Sequence, residues 1–131
     1  MKIEVNGAVI DPKIKKAIIK NVSDTLHKDK AKGSLAINLI NDNQMRKLNL
    51  KYRKKDKTTD VLSFEIDEGG ILGDIYISLP TAKKQAKMYN VTLKDELVRL
   101  AVHGTLHVLG YTHKEMFTLR SGAKDGLKCL N

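Results

Sequence analysis

Residues 103–113 read HGTLHVLGYTH and hold three of the chain's four histidines. No other stretch constrains the fold as much. On a helix, residues four apart lie one above the other, so His103 and His107 project from one face. Gly110 allows a positive φ and a sharp turn, after which the chain can fold back and bring His113 to the other two. The helix that carries them is apolar on more than one face: Leu93, Leu97, Leu100, Ala101, Val108 and Leu109 precede or surround the histidines. Such a helix belongs in a core. A single histidine on a buried helix is usually a satisfied core residue, and a pair at i, i+4 arises often by chance. Three of them with a glycine at the turn fit one metal better than three separate partners, because each unpaired imidazole would be costly to bury. Three protein ligands with the fourth position open is the layout of a catalytic zinc site.

The same histidine and glycine spacing occurs in zinc peptidases with the pattern H-E-x-x-H-x-x-G-x-x-H, where the glutamate is the general base. Here that position is Gly104. Glycine carries no proton, so the spacing supports a metal and argues against peptide hydrolysis. Glu96 lies too far back on the helix to substitute. Phosphodiester cleavage uses what zinc supplies, a lowered pKa for water and Lewis acidity toward an oxyanion. It also needs positive charge on the phosphate. The segment MRKLNLKYRKKDK, residues 45–57, holds seven Lys and Arg against one Asp, and the planar fork of Arg53 suits phosphate oxygens.

The rest of the chain sets the frame. At 131 residues with 41% hydrophobic and 30% charged content, one domain spanning 1–131 with its own core is expected. The net charge of +9 fits a polyanionic partner without requiring one. The lone cysteine, Cys129, excludes an internal disulfide. No leader pattern and no apolar run of membrane-spanning length is visible, so a cytoplasmic protein with no membrane partner is expected. Periodicity predicts strands at 1–5, 34–42, 59–66 and 71–79, with the last two forming a hairpin through Gly69-Gly70. It predicts helices from Pro12 behind an Asp11 cap, over 43–52 with Met45, Leu48 and Tyr52 inward, over 81–89, and from Thr92 to Gly110. The fold class is therefore α+β: a small mixed sheet packed with helices, the metal-bearing helix central and buried.

Three stretches, YRKKDKTTDVLSFEI, LGDIYIS and HGTLHVLGYTH, resemble the YbeY family of bacterial ribosomal-RNA maturation endoribonucleases. The resemblance runs from about Leu35 to Glu115. It implies that His103, His107 and His113 ligate one zinc ion per chain, and that Arg53 matches the family's catalytic arginine beside the metal cleft. It implies single-strand-selective cleavage in 16S rRNA 3′-end maturation and ribosome quality control, with ribosomal RNA and the small ribosomal subunit as partners. Asp60, Ser63 and Asp74 match family positions on the strands, where Asp60 or Asp74 would either orient a ligand histidine or serve as a turn cap. Tyr111 is expected to pack. Two departures stand out. Thr112 replaces the family's aspartate before the third histidine, and the last helix looks shortened, with the tail from about residue 121 expected to be disordered. The rival readings are a non-catalytic RNA- or ribosome-binding module with a structural zinc, and a zinc metallopeptidase.

Overall fold

Each helix begins where the sequence supplies a side chain for its free N–H groups. In the computed structural model, which describes residues 2–111, the order is β1 (Lys2–Gly7), α1 (Pro12–Lys28), β2 (Ser34–Ile40), α2 (Asp42–Arg53), β3 (Val61–Glu68), β4 (Ile71–Ser78), α3 (Leu79–Met88) and α4 (Leu93–Val108). The Asp11 carboxylate accepts the Lys13 N–H at 2.8 Å, with Pro12 next to it. Asn41 and Gln44 cap α2 reciprocally, at 2.8 and 3.0 Å. The Thr92 hydroxyl accepts the Asp95 N–H at 3.0 Å and starts α4. At the far end Gly110 takes φ +93°. The Gly110 N–H then bonds the His107 carbonyl at 2.9 Å and the Tyr111 N–H bonds the Leu106 carbonyl at 3.0 Å, the paired closure that a left-handed residue permits.

The four strands form one sheet in the order β1-β2-β4-β3. β1, β2 and β4 are parallel, and β3 joins β4 antiparallel as an edge strand. The Gly69-Gly70 turn has positive φ at both residues, 60° and 79°, as a tight hairpin requires. Successive side chains on a strand point to opposite faces, and here the two faces differ sharply. Leu35, Ile37, Leu39, Ile75, Ile77 and Val61 pack under α1 and α4 and are sealed from solvent together with Ile18, Val22, Leu26, Leu97 and Leu100. The other face carries Glu4, Asn6, Ala36, Asn38, Asp74, Phe64 and Tyr76, all exposed or half-buried, with Leu62 and Ser78 buried at its β3–β4 end. Among the described residues α2 packs against that face, at its β3–β4 end.

Two expectations need correction. The third helix starts at Leu79 rather than 81, because the Ser78 hydroxyl caps it by accepting the Thr81 N–H at 3.3 Å. On α2 Met45 and Asn49 are buried and Leu48 is half-buried, but Tyr52 is 54% exposed. Asn49 takes the buried place because its amide donates to the Lys57 carbonyl at 2.8 Å, tying the following loop to the helix. Among the described residues no helix is long and apolar enough to cross a membrane. The expected tail from 121 and the shortened last helix lie outside the described residues.

Candidate functional site

The site is built on α4. His103 and His107 sit one helical turn apart, with ring centroids 5.1 Å from each other and ring planes tilted by 50°. His103 is 2% exposed and His107 is half-buried. The spacing suits a shared ion. With Zn–N bonds of about 2.0–2.1 Å and tetrahedral angles, two imidazoles on one zinc place their ring centres about 5 Å apart. The donor chemistry suits it too, since imidazole nitrogens bind zinc. His113, the third expected ligand, and Thr112 lie outside the described residues.

Gly104 explains how this helix comes so close to the sheet. A Cβ there would fall 2.8 Å from Ile75 Cγ2 and 2.9 Å from Ser63 Oγ. The position faces the sheet at less than van der Waals distance, so no side chain fits. The missing glutamate of the peptidase pattern is therefore excluded by packing as well as by chemistry: position 104 points into the β3–β4 hairpin. Ser63, buried beneath it, belongs to the helix–sheet contact.

Two turns before His103, on the same side of the helix, lies Glu96, 1% exposed. Both its oxygens are engaged. Arg99 Nε donates to one at 2.9 Å, and Arg99 Nη2 and Gln85 Nε2 each donate to the other at 2.6 Å. Gln85 Nε2 also reaches Asp60 Oδ2 at 3.4 Å. Burial acts to lower the Arg99 pKa, but the hydrogen bond and charge of Glu96, with Asp60 beyond, outweigh it and hold the guanidinium above its ordinary value. The Asp60 carboxylate also accepts the Val61 N–H at 2.9 Å. Asp60 is thus a strand-start cap joined to a buried charge network. Asp74 lies on the face away from α4, paired in register with Phe64, so it does not orient His103 or His107. The sequence carries a sign of this network: Glu96 and Arg99 stand at i, i+3 in a helix otherwise built for burial.

Arg53 is the last residue of α2 and is half-buried. Its neighbour Tyr52 packs edge-on against Phe64, centroids 5.0 Å apart, and Phe64 packs edge-on against Tyr76 at 5.7 Å. Phe64 and Ser63 are consecutive and so face opposite sides of β3. Tyr52, at the end of α2, and Gly104, on α4, therefore meet the hairpin on opposite faces. Lys54, Lys55 and Lys57 follow as an exposed loop, begun by Lys54 at φ 59°. Arg46 braces it through a bidentate pair with Asp56, at 2.7 and 3.2 Å. Tyr111 does more than pack: its hydroxyl donates to Asp29 at 2.6 Å, fastening the end of α4 to the end of α1.

The family model for the endoribonuclease YbeY matches residues 2–121. A protein from Sulfurihydrogenibium named endoribonuclease YbeY is 38% identical, over 98% of this chain and 93% of its own. A protein of the same name from Persephonella marina is 40% identical, over 86% of this chain and 79% of its own. The solution structure of TM1509 from Thermotoga maritima superposes with a TM-score of 0.66 at 25% identity, covering 97% of this chain and 89% of that one. A mixed four-stranded sheet with a buried, glycine-bearing histidine helix, matched over nearly its whole length, makes this chain a member of the YbeY family.

Proposed function

We propose that this protein is a zinc-dependent endoribonuclease, selective for single strands, that acts in 3′-end maturation of 16S rRNA and in ribosome quality control. His103, His107 and His113 hold the zinc, and Arg53 is the catalytic cation. The observation that carries the proposal is the His103–His107 pair, 5.1 Å between ring centres on a buried helix, within a span matched to an endoribonuclease family.

Zinc held by these residues supplies Lewis acidity and activates water at neutral pH. The chain's own residues do the rest. The α4 backbone, pressed to the sheet at Gly104, fixes the two imidazoles in place. Arg53 meets the scissile phosphate and stabilises the charge that grows on its oxygens during displacement. The lysines that follow it attract the RNA backbone. Ribosomal RNA on the small subunit is the partner, and the cytoplasm the compartment.

The test is cleavage of an rRNA fragment with a single-stranded 3′ extension, using wild type and His107→Ala purified identically, each with and without chelator. Cleavage only by zinc-loaded wild type is expected. Arg53→Ala should lower turnover at least tenfold while zinc content stays at one per chain. If RNA stays whole in every lane although zinc is bound, the protein is a binding module with a structural metal. Casein cleavage without RNA cleavage would restore the peptidase, which the closed space at Gly104 disfavours.

A further inference from the structure

Among the described residues the sheet has one sealed face and one more open face, which buries Leu62 under a partly exposed aromatic cluster. At its β3–β4 end Tyr52, Phe64 and Tyr76 form a continuous edge-to-face cluster, with centroids 5.0 and 5.7 Å apart. Tyr52 is 54% exposed, and Phe64 and Tyr76 are half-buried. Edge-to-face packing leaves ring faces available to a third π-system. Beside the cluster, β2 presents Ala36 and Asn38, small side chains that leave room above the sheet. The Tyr76 hydroxyl is raised above its ordinary pKa by burial, with Asp74 and Tyr52 adding, which places these three groups within electrostatic reach of one another.

The charge around this cluster is lopsided. Lys51 Nζ lies over the Tyr52 ring, 5.1 Å from its centroid. Arg53, Lys54 and Lys55 continue from the same helix end. Asp56, the nearest acid in sequence, is already paired with Arg46. On the sheet side stands Asp74, opposite Phe64 in register. A polyanion laid here is drawn to the α2 side and repelled from the Asp74 side, so its phosphates and its bases are sorted.

We propose that this open face is a stacking platform for unpaired bases of RNA, with Tyr52 and Tyr76 as the base-stacking rings, Phe64 as their support, and the Lys51–Lys55 segment as the phosphate track. The proposal deepens the ribonuclease reading, since it takes RNA as the ligand. Stacking needs bases that are not already stacked in a duplex, so the platform selects single strands without reading sequence. It also lies beside Arg53, which follows Tyr52 at the end of α2.

The test measures binding apart from cleavage. The probe is a fluorescein-labelled 2′-O-methyl oligouridine 12-mer, followed by anisotropy with the full chain, against a duplex of the same length. The chain has four tyrosines and no tryptophan, so quenching of its intrinsic emission reports stacking directly. Tyr52→Leu and Tyr76→Leu keep apolar bulk and are each expected to weaken binding about tenfold. Tyr52→Phe and Tyr76→Phe should stay within about twofold, because the ring is retained. The salt slope should be unchanged in all four, because the phosphate contacts remain. Wild-type affinity in both leucine variants, duplex binding as tight as single-strand binding, or equal losses in the leucine and phenylalanine variants would each overturn the platform. If the leucine variants lose binding while wild type cleaves no RNA, the platform stands and the nuclease reading falls. If they bind normally while cleavage depends on His107, the reverse holds.

Discussion

The two halves of α4 bury polar groups in different ways. In the first half the buried group is a carboxylate, Glu96, with Arg99 and Gln85 on both its oxygens. In the second half the groups are imidazoles, His103 and His107, seated beside a residue with no side chain. A carboxylate taken out of water requires a cation and donors at hand. An imidazole can be buried neutral and keep a nitrogen for a metal. The first half therefore holds the helix in place, and the second presents the two imidazoles proposed as metal ligands. One apolar helix carries both because the polar stripe 96–103–107 follows its pitch.

The comparison can be broken at either end. His107→Ala has the largest expected effect: zinc uptake and RNA cleavage fall to background, while the urea midpoint of the metal-free protein stays close to wild type. A large loss of metal-free stability would mean that the second half is structural after all. Glu96→Ala should do the opposite. It strands Arg99 and Gln85, costs about 3 kcal/mol, and lowers Tm by roughly 10 °C, while the folded fraction still binds one zinc. Loss of zinc at temperatures where the variant is fully folded would show that the two halves are coupled. Gly104→Ala adds a Cβ at 2.8 Å from Ile75 Cγ2. Overpacking of about 1–3 kcal/mol, offset by up to about 1 kcal/mol of helix propensity, predicts a modest fall in Tm. Weaker zinc binding, read by competition with a chromophoric chelator, should accompany it. A more stable variant with unchanged zinc affinity would contradict the close approach.

The smallest effect tests how the first half is anchored. Asp42, at the start of α2, accepts from Ser78 Oγ, from Thr81 Oγ1 at 2.7 Å and from Thr58 Oγ1 at 3.3 Å, so it ties α2 to the beginning of α3, the helix that carries Gln85. The Ser78 hydrogen bond, then that of Thr81, holds its carboxyl below its ordinary value of 3.8. A depressed carboxylate contributes stability that is present above the unfolded value and lost as pH falls through the folded one. Unfolding followed from pH 6 to pH 2 should therefore show a shallower acid limb in Asp42→Asn than in wild type.

Much of this was legible in the chain. Asp11-Pro12, Thr92 and Gly110 mark their helix ends because capping is local chemistry, and Gly69-Gly70 marks the hairpin for the same reason. The histidine pair was legible because helical spacing fixes a shared face. Gly104 could be read as the loss of a base. Its packing role could not, since that depends on Ile75 and Ser63 arriving from distant strands. Periodicity alone points Tyr52 inward because it favours the more apolar residue, whereas the Lys57 carbonyl takes its donor from Asn49. Which face of the sheet Asp74 occupies depends on strand register, and pattern alone does not give it.

The free edge of β3 has a mechanical consequence. On the proposed reading, an RNA that touches both Tyr52 and the α4 histidines passes from one face of the sheet to the other and bends sharply on the way. A double helix is far too stiff to take that bend, whereas an unpaired strand follows it by rotating a few backbone torsions. On that reading the edge of the sheet would itself select against stiff substrates.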